Sequence, residues 1–144
     1  MKVDAWAFPF LDTDAILAAI DCHRLGIDVY AVPNPCDPIG RPHVYPPLWL
    51  HLDHLSVGRG DLNVIGLTLD LLFFVALAVL PPVCNRTGAA LFLCAIVSPS
   101  VALALERANN DVLMFVLGTM AGRLVLRRSS LRLAAYAITI ESYQ

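Results

Sequence analysis

Residues 64–83 read VIGLTLDLLFFVALAVLPPV, twenty almost wholly apolar residues with one charge, Asp70, and a Pro81-Pro82 stop near the end. A bilayer's hydrocarbon core is about 30 Å thick and a helix rises about 1.5 Å per residue, so a run of this length predicts a membrane-crossing helix. Two more runs follow. Residues 88–105 carry no charge, with Pro99 predicting a kink, and residues 112–126 form a shorter third run with Arg123 near its end. Residues 131–140 are apolar again but too short to cross.

Composition agrees with that reading. The chain's 144 residues are 58% hydrophobic and 15% charged, against roughly 25% charged in an ordinary soluble domain. Mean hydropathy is +0.67. A net charge of −2 supplies no basic field, so nucleic acid is not an expected partner. Met1–Ala5 contains Lys2 and Asp4 and no apolar run of signal length follows, so no cleaved leader is expected.

Residues 1–61 differ in character, holding all four histidines, most prolines and most acids. Ala15–Arg24 has Ile16, Ala19, Ile20 and His23 at helical spacing, with Gly26 as a stop, which predicts a short surface or interfacial helix. Pro33, Pro35, Pro38, Pro42, Pro46 and Pro47 make the next stretch a loop. Tyr30, Tyr45 and Trp49 within it are expected to anchor at a water–lipid boundary. Residues 48–57 are apolar but interrupted by His51, Asp53 and His54, as in an interfacial or re-entrant piece. On a helix Asp53 points away from the two histidines, so no metal site is expected there. No cysteines are spaced as a CxxC pair. Cys22 and Cys36 can pair only if this part faces an oxidising compartment, and no disulfide is expected.

If three runs cross, residues 1–61 share one side with the polar notch 106–111, while Arg86, Arg127, Arg128 and Arg132 lie opposite with no acid beside them. Arginine excess marks the cytoplasmic side, so the Pro-rich loop and the notch face outward together. A topology in which residues 46–57 also cross would separate them and reverse the arginine bias. The predicted architecture is therefore an all-α integral membrane protein: an extracytoplasmic loop region with a juxtamembrane helix over residues 1–61, then about three transmembrane helices in 62–144.

Two stretches carry a resemblance. The string Gly26-x-Asp28-Val29-Tyr30, then Asn34-Pro35-Cys36-Asp37-Pro38-x-Gly40-Arg41-Pro42-x-x-Tyr45-Pro46-Pro47-Leu48-Trp49, resembles the first external loop of polyprenol-phosphate-dependent GT-C glycosyltransferases, specifically the mannosyltransferase-like glycosyltransferase family 87. Glu106-Arg107-Ala108-Asn109-Asn110-Asp111 is similar to that family's Glu-Arg-Gly-Asn-x-Asp notch, with Ala108 replacing the usual glycine. The resemblance covers roughly residues 8–126.

It implies transfer of a hexosyl group from a polyprenol-phosphate-linked donor to an acceptor hydroxyl at the outer face of a bacterial inner membrane, without a cofactor or metal. A carboxylate must draw the proton from the attacking hydroxyl, and the family's early loop Asp best matches Asp12, with Asp14 second. Asp12 directly before a helix also reads as an ordinary N-cap. Arg41 is the best phosphate ligand on the loop and reads equally as a solvated loop arginine, and Tyr45 of the same motif is a second candidate for binding substrate or phosphate. Glu106, Arg107, Asn109, Asn110 and Asp111 read either as donor-binding groups or as an interhelical turn, with Asp111 at a helix N-terminus. Asp70 is expected to pair with Arg123, since helical rise puts them about 12 Å and 18 Å below the outer face.

Family members have more spans, one of them before the catalytic loop. The resemblance thus implies a piece of such a transferase, inactive alone, with the missing remainder as its partner. The competing expectation is a small non-catalytic membrane protein that binds lipid headgroups or a membrane partner through its aromatic loop.

Overall fold

The structure, a computed structural model, describes residues 9–30, 34–81, 83 and 85–126. Among the described residues five α-helices follow one another: α1 (Leu11–Arg24), α2 (Leu62–Ala78), α3 (Arg86–Ile96), α4 (Pro99–Arg107) and α5 (Asn110–Leu126). A 3-10 helix, Pro47–Leu55, lies between α1 and α2, and a 3-10 turn, Arg59–Asp61, leads into α2. No strand occurs among the described residues. The all-α expectation holds. Arg127, Arg128, Arg132 and the 131–140 run lie outside the described residues.

Helix α1 begins four residues earlier than its apolar spacing suggests, and tertiary contact is the reason. Phe10 takes a left-handed conformation (φ 57°) and donates its N–H to the Glu106 carbonyl at 3.0 Å. Its carbonyl accepts the first helical bond, from Asp14 N–H at 2.8 Å. Asp12 is therefore inside the first turn, and no side chain caps this helix. The Phe10 ring lies flat against Gly66 of α2, where any Cβ would overlap it, so α1 and α2 approach only because position 66 is glycine. Gly26 closes the other end at φ 73°, as expected.

The surface-helix expectation for α1 is corrected. Ala18, Ala19, Ile20 and Cys22 have no exposed area, because neighbours cover α1 on several sides. Leu50 from the 3-10 helix and Val29 join Ala19 and Cys22 in one cluster, while Tyr45, Trp49, Leu52 and Ile65 pack on Ile16, Leu17 and Ile20 in another. Burying each large apolar side chain stabilises by about 1.5–3 kcal/mol. Tyr45 and Trp49 thus pack against α1 while staying only partly buried. The 3-10 helix Pro47–Leu55 lies along α1. Cys22 and Cys36 form a disulfide (Cα–Cα 5.8 Å), against expectation. Such a bond needs an oxidising environment, and cross-linking a loop of this size stabilises by about 3 kcal/mol.

The continuous helix Arg59–Ala78 has a mean hydropathy of 1.8 over its most apolar stretch and is long and apolar enough to cross a membrane. Val64, Leu67 and Leu71 are each more than 60% exposed on it. The second expected span is two helices instead. Ser98 caps a new helix by accepting from Val101 N–H, Pro99 occupies its first turn, and the axis bends by 44°. As a pair, α3 and α4 are again long and apolar enough to cross. Helices α2 and α5 run parallel: Ile65 and Leu69 line a cavity with Asn110 and Leu113, the tilted Phe73 and Phe115 rings lie 5.1 Å apart, and Leu80 lines a second cavity with Gly118 and Gly122.

That register overturns the expected Asp70–Arg123 pair. With Phe73 level with Phe115, Arg123 falls beside Leu80 and Pro81, about three turns beyond Asp70. Asp70 Oδ1 has no hydrogen-bond partner.

Candidate functional site

The polar notch folds onto the start of α1. Helix α4 ends at Ala108, which adopts φ 44°, a left-handed conformation that glycine takes freely and that costs another residue about 1 kcal/mol. This chain accepts that strain at an alanine. What holds it is a buried hydrogen bond, Thr13 Oγ1 donating to the Ala108 carbonyl at 2.7 Å across 95 residues of sequence. With Phe10 N–H on Glu106, it fixes the end of α4 beside Asp12.

The Pro-rich loop is folded just as firmly. Asn34, 1% exposed, accepts Cys36 N–H through its side chain and Asp37 N–H through its carbonyl, both at about 3 Å. Gly40, at φ 69°, returns its N–H to the Asp37 carbonyl. The fully buried Asp37 side chain then accepts from Arg41 three times: backbone N–H at 2.7 Å, Nε at 3.1 Å and Nη2 at 2.6 Å. Burial alone would raise the Asp37 carboxyl; the Arg41 hydrogen bonds outweigh it and hold it below its usual value.

These two pieces bring their arginines to one carboxylate oxygen. Arg41 Nη1 lies 4.0 Å and Arg107 Nη1 3.9 Å from Asp12 Oδ1. Both distances exceed hydrogen-bond length, so the three groups form an open cation–anion–cation cleft rather than a closed pair. The Asp12 side chain is 15% exposed and that of Arg107 43%, leaving a path to the cleft. Tyr45 stands within the field of this group. Burial, then Asp12, raises its phenol, with Asp111 adding to the effect and Arg41 and Arg107 opposing it. Tyr45 is therefore a protonated donor at neutral pH.

The remaining expected site residues take various places. Asp14 is buried and paired with Arg59 (Nε–Oδ1 2.7 Å), while its charge still reaches Arg41. Glu106 contributes its backbone carbonyl, and its side chain is exposed. Asn109 Oδ1 accepts Asp111 N–H at 3.1 Å, ordering the first turn of α5, where Asp111 is exposed. Asn110 lines a largely apolar cavity of about 200 Å³ together with Thr13, Trp49, Ala108 and Leu113. Asp53 accepts from His23 Nδ1 at 3.0 Å, in the protonation state that makes that nitrogen the donor. Among the described residues no three His, Cys, Asp or Glu side chains converge as metal ligands do.

Sequence reasoning passed over Asp37, Arg59, Thr13 and His43. Asp37 and Arg41 flank a Pro-x-Gly turn, and that spacing is the one signal that could have paired them. His43 is 5% exposed, edge-on to Tyr30 (5.1 Å) and beside Tyr45 (5.7 Å), with neither ring nitrogen hydrogen-bonded. Burial lowers its pKa below the ordinary 6.5. The unfolded chain then binds this proton more readily, so stability is complete above that ordinary value and falls as pH drops through it. The expected result is a wild-type melting temperature that falls between about pH 7 and pH 5 more steeply than that of His43→Phe. Equal slopes would contradict it.

No family model, curated protein or solved structure matches this chain.

Proposed function

We propose that the chain forms the phosphate-facing part of a membrane-embedded site for hexosyl transfer from a polyprenol-phosphate-linked donor, of the kind its loop and notch motifs resemble. The observation that carries this reading is the convergence of Arg41 and Arg107, from two distant segments, on one oxygen of Asp12. The exposed apolar faces of α2 and of the bent α3–α4 pair support a lipid setting, and the disulfide supports an extracytoplasmic site.

In this reading Asp12 accepts the proton of the acceptor hydroxyl as its oxygen bonds to the anomeric carbon. The bond from that carbon to the phosphate oxygen breaks, and the phosphate leaves with the electron pair. Arg41 and Arg107 hold the charge that develops there, and their preset positions lower the barrier because little reorganises during the step. Tyr45 donates its phenol proton to the sugar or phosphate, and the apolar cavity beside Thr13 and Ala108 gives room for an apolar body next to the charged cleft.

The test adds a polyprenyl phosphomannose to membranes that hold the chain together with the remainder of such a transferase, since the chain is expected to be inactive alone, and follows label transfer. The wild type is expected to transfer label, and Arg107→Gln to reduce the rate by about 100-fold. Equal rates would remove the notch from the site.

A further inference from the structure

We infer that Asp37 is a positioning residue: its carboxylate holds Arg41 by one fixed edge so that the Nη1 edge is presented to a phosphate oxygen in the cleft. The inference rests on the phosphate reading of that cleft.

A guanidinium offers five N–H groups, and the edge formed by Nε and one Nη matches a carboxylate in a two-pronged fork. Asp37 takes that edge through Oδ2 and Oδ1. Arg41 Nη1 is the group left nearest Asp12. Asp37 is itself held from behind. Its side chain has no exposed area, its backbone N–H is bound by Asn34, and the preceding residue, Cys36, is bonded to Cys22 in the buried face of α1. A continuous path thus runs from α1 through the disulfide and the turn to one guanidinium edge. Arg107 has no such fork. It faces Asp12 at 3.9 Å, and it is more exposed than Arg41. The two arginines therefore divide the work: Arg41 is preset, and Arg107 can follow the phosphate as it moves away from the sugar.

The sign of one substitution separates positioning from simple charge. Asp37→Asn removes a negative charge near the cleft, so electrostatics alone predicts tighter phosphate binding. Positioning predicts weaker binding, because the fork is lost and Arg41 gains freedom; small misplacements of such groups cost up to about 100-fold.

The experiment titrates the full chain, in lipid nanodiscs, with a short-chain prenyl monophosphate. Asp37→Asn is expected to bind about tenfold more weakly than wild type. In an Arg41→Lys background, which keeps the charge but cannot be forked, Asp37→Asn is expected to change affinity by less than about twofold. The Arg41 Nε–H is expected to exchange slowly with solvent in wild type and fast in Asp37→Asn. Unchanged or tighter binding by Asp37→Asn, or equal weakening in both backgrounds, overturns the inference. So does an Nε–H exchange rate that Asp37→Asn leaves unchanged, whatever the variants' stability. A wild type that binds no probe while Nε–H exchange responds to Asp37→Asn overturns the phosphate presentation through the parent reading, leaving Asp37 only a structural hold on Arg41.

Discussion

Asp12→Asn is expected to separate binding from turnover, abolishing sugar transfer while leaving phosphate affinity equal to or tighter than wild type. Asp12 lies between two cations, and its charge partly cancels the field that a phosphate would meet there. Asparagine keeps the shape and removes that cancellation, so a prenyl monophosphate should bind up to several-fold more tightly. It also cannot accept a proton at neutral pH, and general-base catalysis contributes about 10²–10⁴-fold to such reactions. Transfer should fall by at least the lower figure. Parallel loss of affinity and rate would assign Asp12 to structure. Retained transfer would remove it as the base. Tight phosphate binding by a wild type that transfers no sugar even with the remainder of a transferase present would favour the non-catalytic reading, a membrane protein that binds lipid headgroups.

Arg59→Met is expected to give the largest loss of stability among single substitutions near the site. The Asp14 side chain is 1% exposed, and Arg59 meets both of its oxygens, at 2.7 and 3.4 Å. The same arginine donates its backbone N–H to Asp21 and Nη1 to the Cys36 carbonyl, joining the start of α2 to α1 and the Pro-rich loop. Removing it strands a buried carboxylate, and breaking such a pair from one side costs about 3–5 kcal/mol. Arg59 itself is partly solvated, so the lower end of that range applies to the variant. Adding Asp14→Asn to Arg59→Met should recover part of the loss, because the stranded charge disappears with it. Denaturant midpoints in detergent measure both effects. A shift under about 1 kcal/mol for Arg59→Met would mean that Asp14 finds solvent or another partner.

Much of the helical plan was legible because it depends on local chemistry. The run 64–83 reads as a helix from its apolar residues and closing prolines, Gly26 reads as a stop, and Pro99 reads as a break. Loop and notch were expected to meet, and the structure brings Arg41 and Arg107 together at Asp12. The start of α1 was not legible, since the left-handed Phe10 is held by the carbonyl of Glu106, far along the chain. The burial of α1 was hidden by Thr13 and Asp14, which look solvent-facing until Ala108 and Arg59 satisfy them. Asp70 and Arg123 failed to pair because depth arithmetic ignores register: Phe73 on Phe115 sets how α2 and α5 align, and no periodicity in either run encodes that choice.

Within the site, the two arginines and Asp12 were readable as residue types, while their division of labour was not. Asp37 looks like one more polar residue in a Pro-rich loop. Only the folded turn shows that its carboxylate is buried and occupied by Arg41.

The most direct measurement is a titration of the full chain in nanodiscs with a short-chain prenyl monophosphate, followed by phosphorus NMR, for wild type and for Arg41→Gln with Arg107→Gln. The proposed site predicts saturable binding by wild type, abolished in the double variant while its helical circular dichroism is unchanged. Absence of saturable binding in wild type, or equal binding by the double variant, would contradict it.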